Sequence, residues 1–173
     1  RGLDMLSALQ ADKTKQLGYA DFYLPPGTVG LPLLGAHVVK DSVGVLAENT
    51  SSQGLDTRRG AVAAYRQFFY DKAELRFALA FQAEQNLPEG AEETLSRALA
   101  PIAELTWRHV DDVLDPRRGG VLTLRLAGGA KALLSDQDFV MTYAQYQRWF
   151  PLSPVDQLIL RAEGGYTIAA SRE

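Results

Sequence analysis

Two histidines are the only imidazoles in this 173-residue chain, and cysteine is absent. His37 and His109 are therefore the only imidazole candidates for a general base, and disulfides, thiol catalysis, cysteine-bound zinc and iron–sulfur clusters are excluded. His109 stands in WRHVDDVLDPRR, from Trp107 to Arg118. On a helix, Asp112 would follow three residues later and could orient the imidazole, while Asp111 would point elsewhere. A helix end whose acids face water looks the same. No nucleophile elbow, H-E-x-x-H pair or calcium loop accompanies the pair. The catalytic set is thus left empty, with His109 and Asp112 as weak candidates, and the reading leans away from an enzyme. Two distant histidines would need two carboxylates to complete a zinc site, so no metal and no cofactor is expected.

Other residues offer contact rather than catalysis. Arg117 and Arg118, in DPRRGG, could meet an anionic ligand or an acidic partner, although arginines in a turn are usually solvated. Trp107 falls off the main apolar stripe of its predicted helix and reads as a surface anchor. Phe139, Tyr143, Tyr146 and Phe150 recur at helical spacing, which suits a core stripe or the wall of a small-molecule pocket. The segment Phe22 to His37 has no charge, three prolines and three glycines. It reads as extended, irregular backbone whose Leu24, Val29, Leu31, Leu33 and Leu34 need cover, from its own domain or from a neighbour.

Two stretches, LRLAGGAKALL (124–134) and LRAEGGYTIAA (160–170), share Leu-Arg and Gly-Gly. A phosphate cradle would need such glycines to follow a strand and open a helix. Neither pair does, so both read as turns of β-hairpins, with a duplicated unit as a weaker possibility.

These residues need elements to hold them. Leu3 to Leu17 has helical spacing, and so has Asp56 to Asp71 through Val62, Tyr65 and Phe69. Pro88 to Pro116 gives the longest helical pattern, interrupted at Pro101, and Ser135 to Phe150 gives another. Val38 to Val45 reads as strand. Leu75, Phe77, Leu79 and Phe81 alternate with polar or small residues, which predicts a strand with one buried face. The fold expected is α+β: a largely antiparallel sheet of hairpins packed against two or three helices. The division is residues 1–55, an N-terminal helix and extended Pro/Gly arm, and residues 56–173, the α+β domain.

With 46% hydrophobic and 23% charged residues, the chain reads as one globular unit. Net charge is −3, and the three parts 1–56, 57–120 and 121–173 carry 4 basic and 6 acidic, 9 and 10, and 5 and 5 residues. None is basic enough for nucleic acid or an anionic membrane surface. No apolar run approaches the roughly 20 residues of a spanning helix, so the sequence reads as soluble or peripheral with no transmembrane segment. It begins at Arg1, which suggests processing compatible with an extracytoplasmic or organellar location. The function expected is a non-catalytic accessory or interaction subunit that binds a partner protein through the arm, helped by Trp107, Arg117 and Arg118. The alternative is a small-molecule-binding domain or enzyme with its pocket between sheet and aromatic helix.

Overall fold

The computed structural model describes residues 2–30, 34–52 and 54–170. They form one nine-stranded antiparallel sheet in which spatial order equals chain order. The strands are β1 Asp4–Ala11, β2 Lys15–Leu24, β3 Val38–Ser52, β4 Leu55–Phe69, β5 Ala73–Pro88, β6 Thr94–Val110, β7 Gly119–Gly129, β8 Phe139–Pro151 and β9 Gln157–Ala169. The sole helical element among the described residues is one 3-10 turn, Lys131–Leu133. The connections at 12–14, 54, 89–93 and 130–138 lie at one end of the sheet, the near end. Segments 25–30, 34–37, 70–72, 111–118 and 152–156 lie at the far end.

The α+β expectation is overturned. The four predicted helices, at Leu3–Leu17, Asp56–Asp71, Pro88–Pro116 and Ser135–Phe150, are strands: β1 with the start of β2, then β4, β6 and β8. Apolar residues stand on both faces of these strands, so a helical stripe can be threaded through them. In β6 the supposed stripe divides, Leu95, Leu105 and His109 on one face and Ala98 and Ile102 on the other, as their cross-strand partners require. Propensity misleads for a second reason. Ala, Leu, Glu and Gln favour helix in isolation, but a strand paired on both sides is decided by its neighbours.

Pro101 sits inside β6 without breaking it. The backbone of Arg97 and Leu99 turns toward segment 130–138, where the Ser135 hydroxyl accepts from Leu99 N–H (3.0 Å) and donates to Leu99 C=O (3.1 Å). Asp136 N–H likewise donates to Arg97 C=O at 2.8 Å. The nitrogen of Pro101 turns the same way, and β6–β7 pairing stops at Ile102, so no ladder bond is lost.

The glycine pairs do not form hairpin turns. Gly128-Gly129 ends β7, opposite Val140 and Phe139, and Gly164-Gly165 lies within β9, opposite Ala144 and Tyr143. Aromatic rings cover the bare backbone: a Cβ on Gly129 would strike the Phe139 ring, and one on Gly165 would lie 3.5 Å from Tyr143. Val38 to Val45 and Leu75 to Phe81 are strand, as expected, in β3 and β5.

A conventional core is missing. Ala63, Phe68 and Ala127 are the buried hydrophobic residues among those described, and no side chain is fully enclosed.

Candidate functional site: an apolar face and a charged face

Strand register sorts every side chain onto one of two faces, since alternate residues point to opposite sides and paired residues share one. One face carries Val43, Val45, Val62, Ala64, Leu79, Phe81, Leu105, Leu124, Leu126, Val140, Leu160 and Ile168. The other holds seven basic residues, Lys15, Lys40, Arg59, Arg76, Arg108, Arg125 and Arg161. It holds seven acidic ones as well, Asp4, Asp21, Glu48, Glu74, Glu84, Glu104 and Glu163.

The polar face is laced across strands. Lys15 Nζ meets Glu48 at 2.8 Å and Arg108 meets Glu74 at 3.2 Å. Arg59 donates to Gln82 at 3.0 Å, Gln67 to Glu74 at 3.1 Å, and the Arg76 guanidinium lies 4.2 Å from the centre of the Tyr65 ring. On β8 and β9, Glu163 accepts from Arg161 at 2.6 Å and from Tyr143 at 2.9 Å. Equal numbers of opposite charges make this wall self-neutralising. Its side chains are mostly half-buried against one another, while the apolar ones splay into the open: Leu79 is 51%, Leu126 52% and Ile168 60% exposed. The sheet is therefore curled with the polar face inside.

The apolar face is bounded at both ends. Toward the near end, Gln16, Asn49, Arg58 and Gln85 form one polar row in register. Toward the far end, Asp41 and Arg66 are paired at 3.6 Å. Between Asp41 and Asn49 the outward run on β3 is 49 − 41 = 8 residues, about 26 Å at ~3.3 Å per residue. Six of the eight outward aromatics (Phe22, Phe68, Phe77, Trp107, Tyr146 and Phe150, against Phe81 and Tyr166) lie in the far half of their strands.

The sequence-derived sites divide between these regions. Leu24 ends β2 on the apolar face and, with Val29, lines a depression of about 440 Å³ that reaches Asp41, Arg66 and Phe77. Leu34 is exposed, and its carbonyl accepts from the Tyr70 hydroxyl at 3.2 Å. Leu31 and Leu33 lie outside the described residues. Trp107 faces outward with its ring stacked on His109, 6.1 Å between centroids and 12° between planes. His109 and Asp112 do not pair: Asp112 accepts instead from the N–H groups of Leu114 (2.7 Å) and Asp115 (3.2 Å). Phe139 and Tyr143 face inward and Tyr146 outward, so these three do not share a pocket.

Arg117 and Arg118 belong to a far-end loop closed on Asp111, whose carboxylate accepts from both their N–H groups at 3.0 Å. Arg117 Nη1 also donates to Pro154 C=O at 2.6 Å, tying this loop to segment 152–156. The N–H of Arg118, then that of Arg117, holds the Asp111 carboxyl below its ordinary value of 3.8. A lowered folded pKa stabilises the loop above the ordinary value, and that contribution is lost as pH falls through the lower folded one. Asp111→Ala is expected to speed amide exchange at Arg117 and Arg118 at least tenfold at neutral pH, with Asp111→Asn intermediate. In the parent chain the same amides should lose protection only on acidification below about 3.8; exchange unchanged in Asp111→Ala would refute this role.

Sequence reasoning missed the two-faced sheet, whose signal is period-two alternation in segments of ten or more residues separated by turns. No family model and no curated protein matches the chain. Among solved structures it is similar to the crystal structure of BamA from Haemophilus ducreyi lacking POTRA domains 1–3, with a TM-score of 0.72 and 8% sequence identity. The similarity covers 96% of this chain and 35% of that one, so the chain spans about a third of that structure. At this identity the likeness is one of fold. No helix among the described residues is long and apolar enough to cross a membrane, a statement that does not bear on crossing by strands.

Proposed function

We propose that the nine strands form a section of the wall of a membrane-spanning β-barrel, with the apolar face against lipid and the polar face lining the interior. One observation carries this reading: a single sheet whose apolar face is left open has no protein core to bury it. In water such a face would have to be covered by a second layer. In a bilayer it is the correct outer surface, and the balanced charges of the other face belong in a hydrated lumen.

Dimensions agree. A tilted strand needs about 9–11 residues to cross a bilayer, and β3 to β9 have between 11 and 17. The polar boundaries Asp41 and Asn49, about 26 Å apart along β3 at ~3.3 Å per residue, project to about 20 Å at a tilt of ~40°, on the order of the ~25 Å band of outer-membrane barrels. Among the outward aromatics near one boundary, Trp107 and Tyr146 have the amphipathic rings that suit the interfacial girdle at the headgroups. Lipid cannot satisfy unpaired backbone, so the free edges of β1 and β9 require further strands. The fold likeness, in which this chain matches 35% of a longer solved structure, supports that requirement. The arm, in this reading, covers the Asp41–Arg66 pair at the membrane boundary with Leu24 and Val29, while its exposed Leu34 remains available to a partner.

The two tryptophans test the proposal, because Trp107 points outward and Trp149 inward. In vesicles carrying brominated lipid, the Trp149→Phe variant should lose most of its emission, and acrylamide should affect it little. The Trp107→Phe variant should respond the other way round. Identical responses from the two variants would sink the reading.

A further inference from the structure

The near end of the apolar face is hollowed by a depression of about 900 Å³. Its floor follows the register: Gly18 of β2 lies opposite Ala47, Ala47 opposite Gly60, and Gly60 opposite Ala83. The Leu9 side chain leans over Gly18, 3.1 Å from where a Cβ would stand, so the open floor is Ala47, Gly60 and Ala83 on three neighbouring strands, about 10 Å for two spacings of ~4.8 Å. Leu9 on β1, 90% exposed, and Leu95 on β6 stand as walls.

The rim is polar and cationic. Arg58 lines it from the row beside the floor, between Asn49 and Gln85, while Arg97 continues the floor row beyond Ala83, next to the depression and with its N–H donating to the Asp136 carboxylate at 2.5 Å. Both arginines are exposed. The carboxylates nearby are Asp136, on the Arg97 N–H, Asp56, two residues nearer the near end than Arg58, and Glu93, which accepts from Gln85 at 2.9 Å. An apolar trough with guanidinium groups at its mouth, set where the apolar band meets the polar row, combines two demands. The trough forfeits dispersion contacts unless a flexible chain fills it, and planar guanidinium forks select phosphate.

We infer that this groove binds a membrane lipid with a phosphate-bearing anionic headgroup, one acyl chain lying over Ala47, Gly60 and Ala83 against Leu9 and the phosphate held by Arg58, with Arg97 beside it. The inference rests on the membrane-facing reading of this surface. Gln16 and Asn49, in the same polar row, supply amides at the level of the lipid's ester groups.

The test is native mass spectrometry of the chain extracted from vesicles of phosphatidylcholine with one part in five of phosphatidylglycerol. The parent chain should retain phosphatidylglycerol at least tenfold above its share in the membrane. The double variant Arg58→Gln, Arg97→Gln should lose that preference, and Gly60→Leu should lose the bound lipid altogether. A Cβ at Gly60 meets nothing within 4 Å, so the added side chain fills the groove and not the backbone. Ala47→Leu is the second filling variant should Gly60→Leu fail to fold. Retention of the two lipids in their membrane ratio, or retention unchanged in the variants, overturns the groove while Trp107 quenching by brominated lipid stays intact. Loss of that quenching in the parent chain overturns the membrane reading and the groove with it.

Discussion

Leu124→Arg is expected, on the proposed membrane-spanning reading, to destabilise the sheet by about 2–4 kcal/mol, the cost of arginine on a lipid-facing wall near the bilayer midplane. Leu124 is the central outward residue of β7, flanked by Leu105 on β6 and Ala144 on β8. An arginine there has no partner in its row and too short a reach to bring its charge to either boundary. Thr123→Arg, one residue away, points inward. Its row contains Glu74 beyond Thr106 and Glu163 beyond Gln145. The added cation meets two acids and water, and the change should stay within about 0.5 kcal/mol. Urea unfolding of the two variants in vesicles, followed by tryptophan emission, measures the difference. Equal effects at both positions would show that the faces do not meet different solvents.

The second large effect is expected at Gly119. It opens β7 with φ +113°, and an added Cβ would run into the carbonyl oxygen of His109 in the backbone of β6. Gly119→Ala therefore suffers both a backbone conformation that L-residues avoid and a contact that no side chain can move aside. The conformational part alone costs about 1–3 kcal/mol. Gly164→Ala, in the middle of β9, meets nothing within 4 Å and has no positive φ. It should be neutral or, by restricting the unfolded chain, stabilise by up to about 1 kcal/mol. The same unfolding assay decides; a benign Gly119→Ala would mean that the loop closed on Asp111 adjusts more freely than its hydrogen bonds imply.

Strand β5 was legible because Leu75, Phe77, Leu79 and Phe81 alternate with smaller or polar residues without interruption. The further expectation, that this face is buried, fails: the four point outward, and Phe77 and Leu79 are exposed. Elsewhere the alternation has low contrast. In β6 the inward face includes Ala98, Ala100 and Ile102, so hydrophobicity does not distinguish the two sides. In β8, Phe139, Tyr143, Tyr146 and Phe150 match helical spacing, yet the odd step from 143 to 146 moves the last two to the opposite face. Asp112 could be placed beside His109 only on a helix; once β6 ends at Val110, Asp112 turns to the loop backbone. The paired glycines misled for a related reason, since the rings that cover them come from the neighbouring strand. Above all, burial was expected to be supplied by protein, and among the described residues most of the apolar face is left uncovered.

The order in which the strands lie carries one more consequence. Each strand pairs with the strand next to it in the chain, and pairing never leaps across the sheet. Each added strand therefore needs only a short loop to close, so the entropic barrier recurs in small steps and is not met all at once. Growth can proceed like a zip, every completed hairpin offering its edge as the template for the next. The same arrangement leaves no internal seam at which the described strands divide, because each is paired only with its neighbours in the chain.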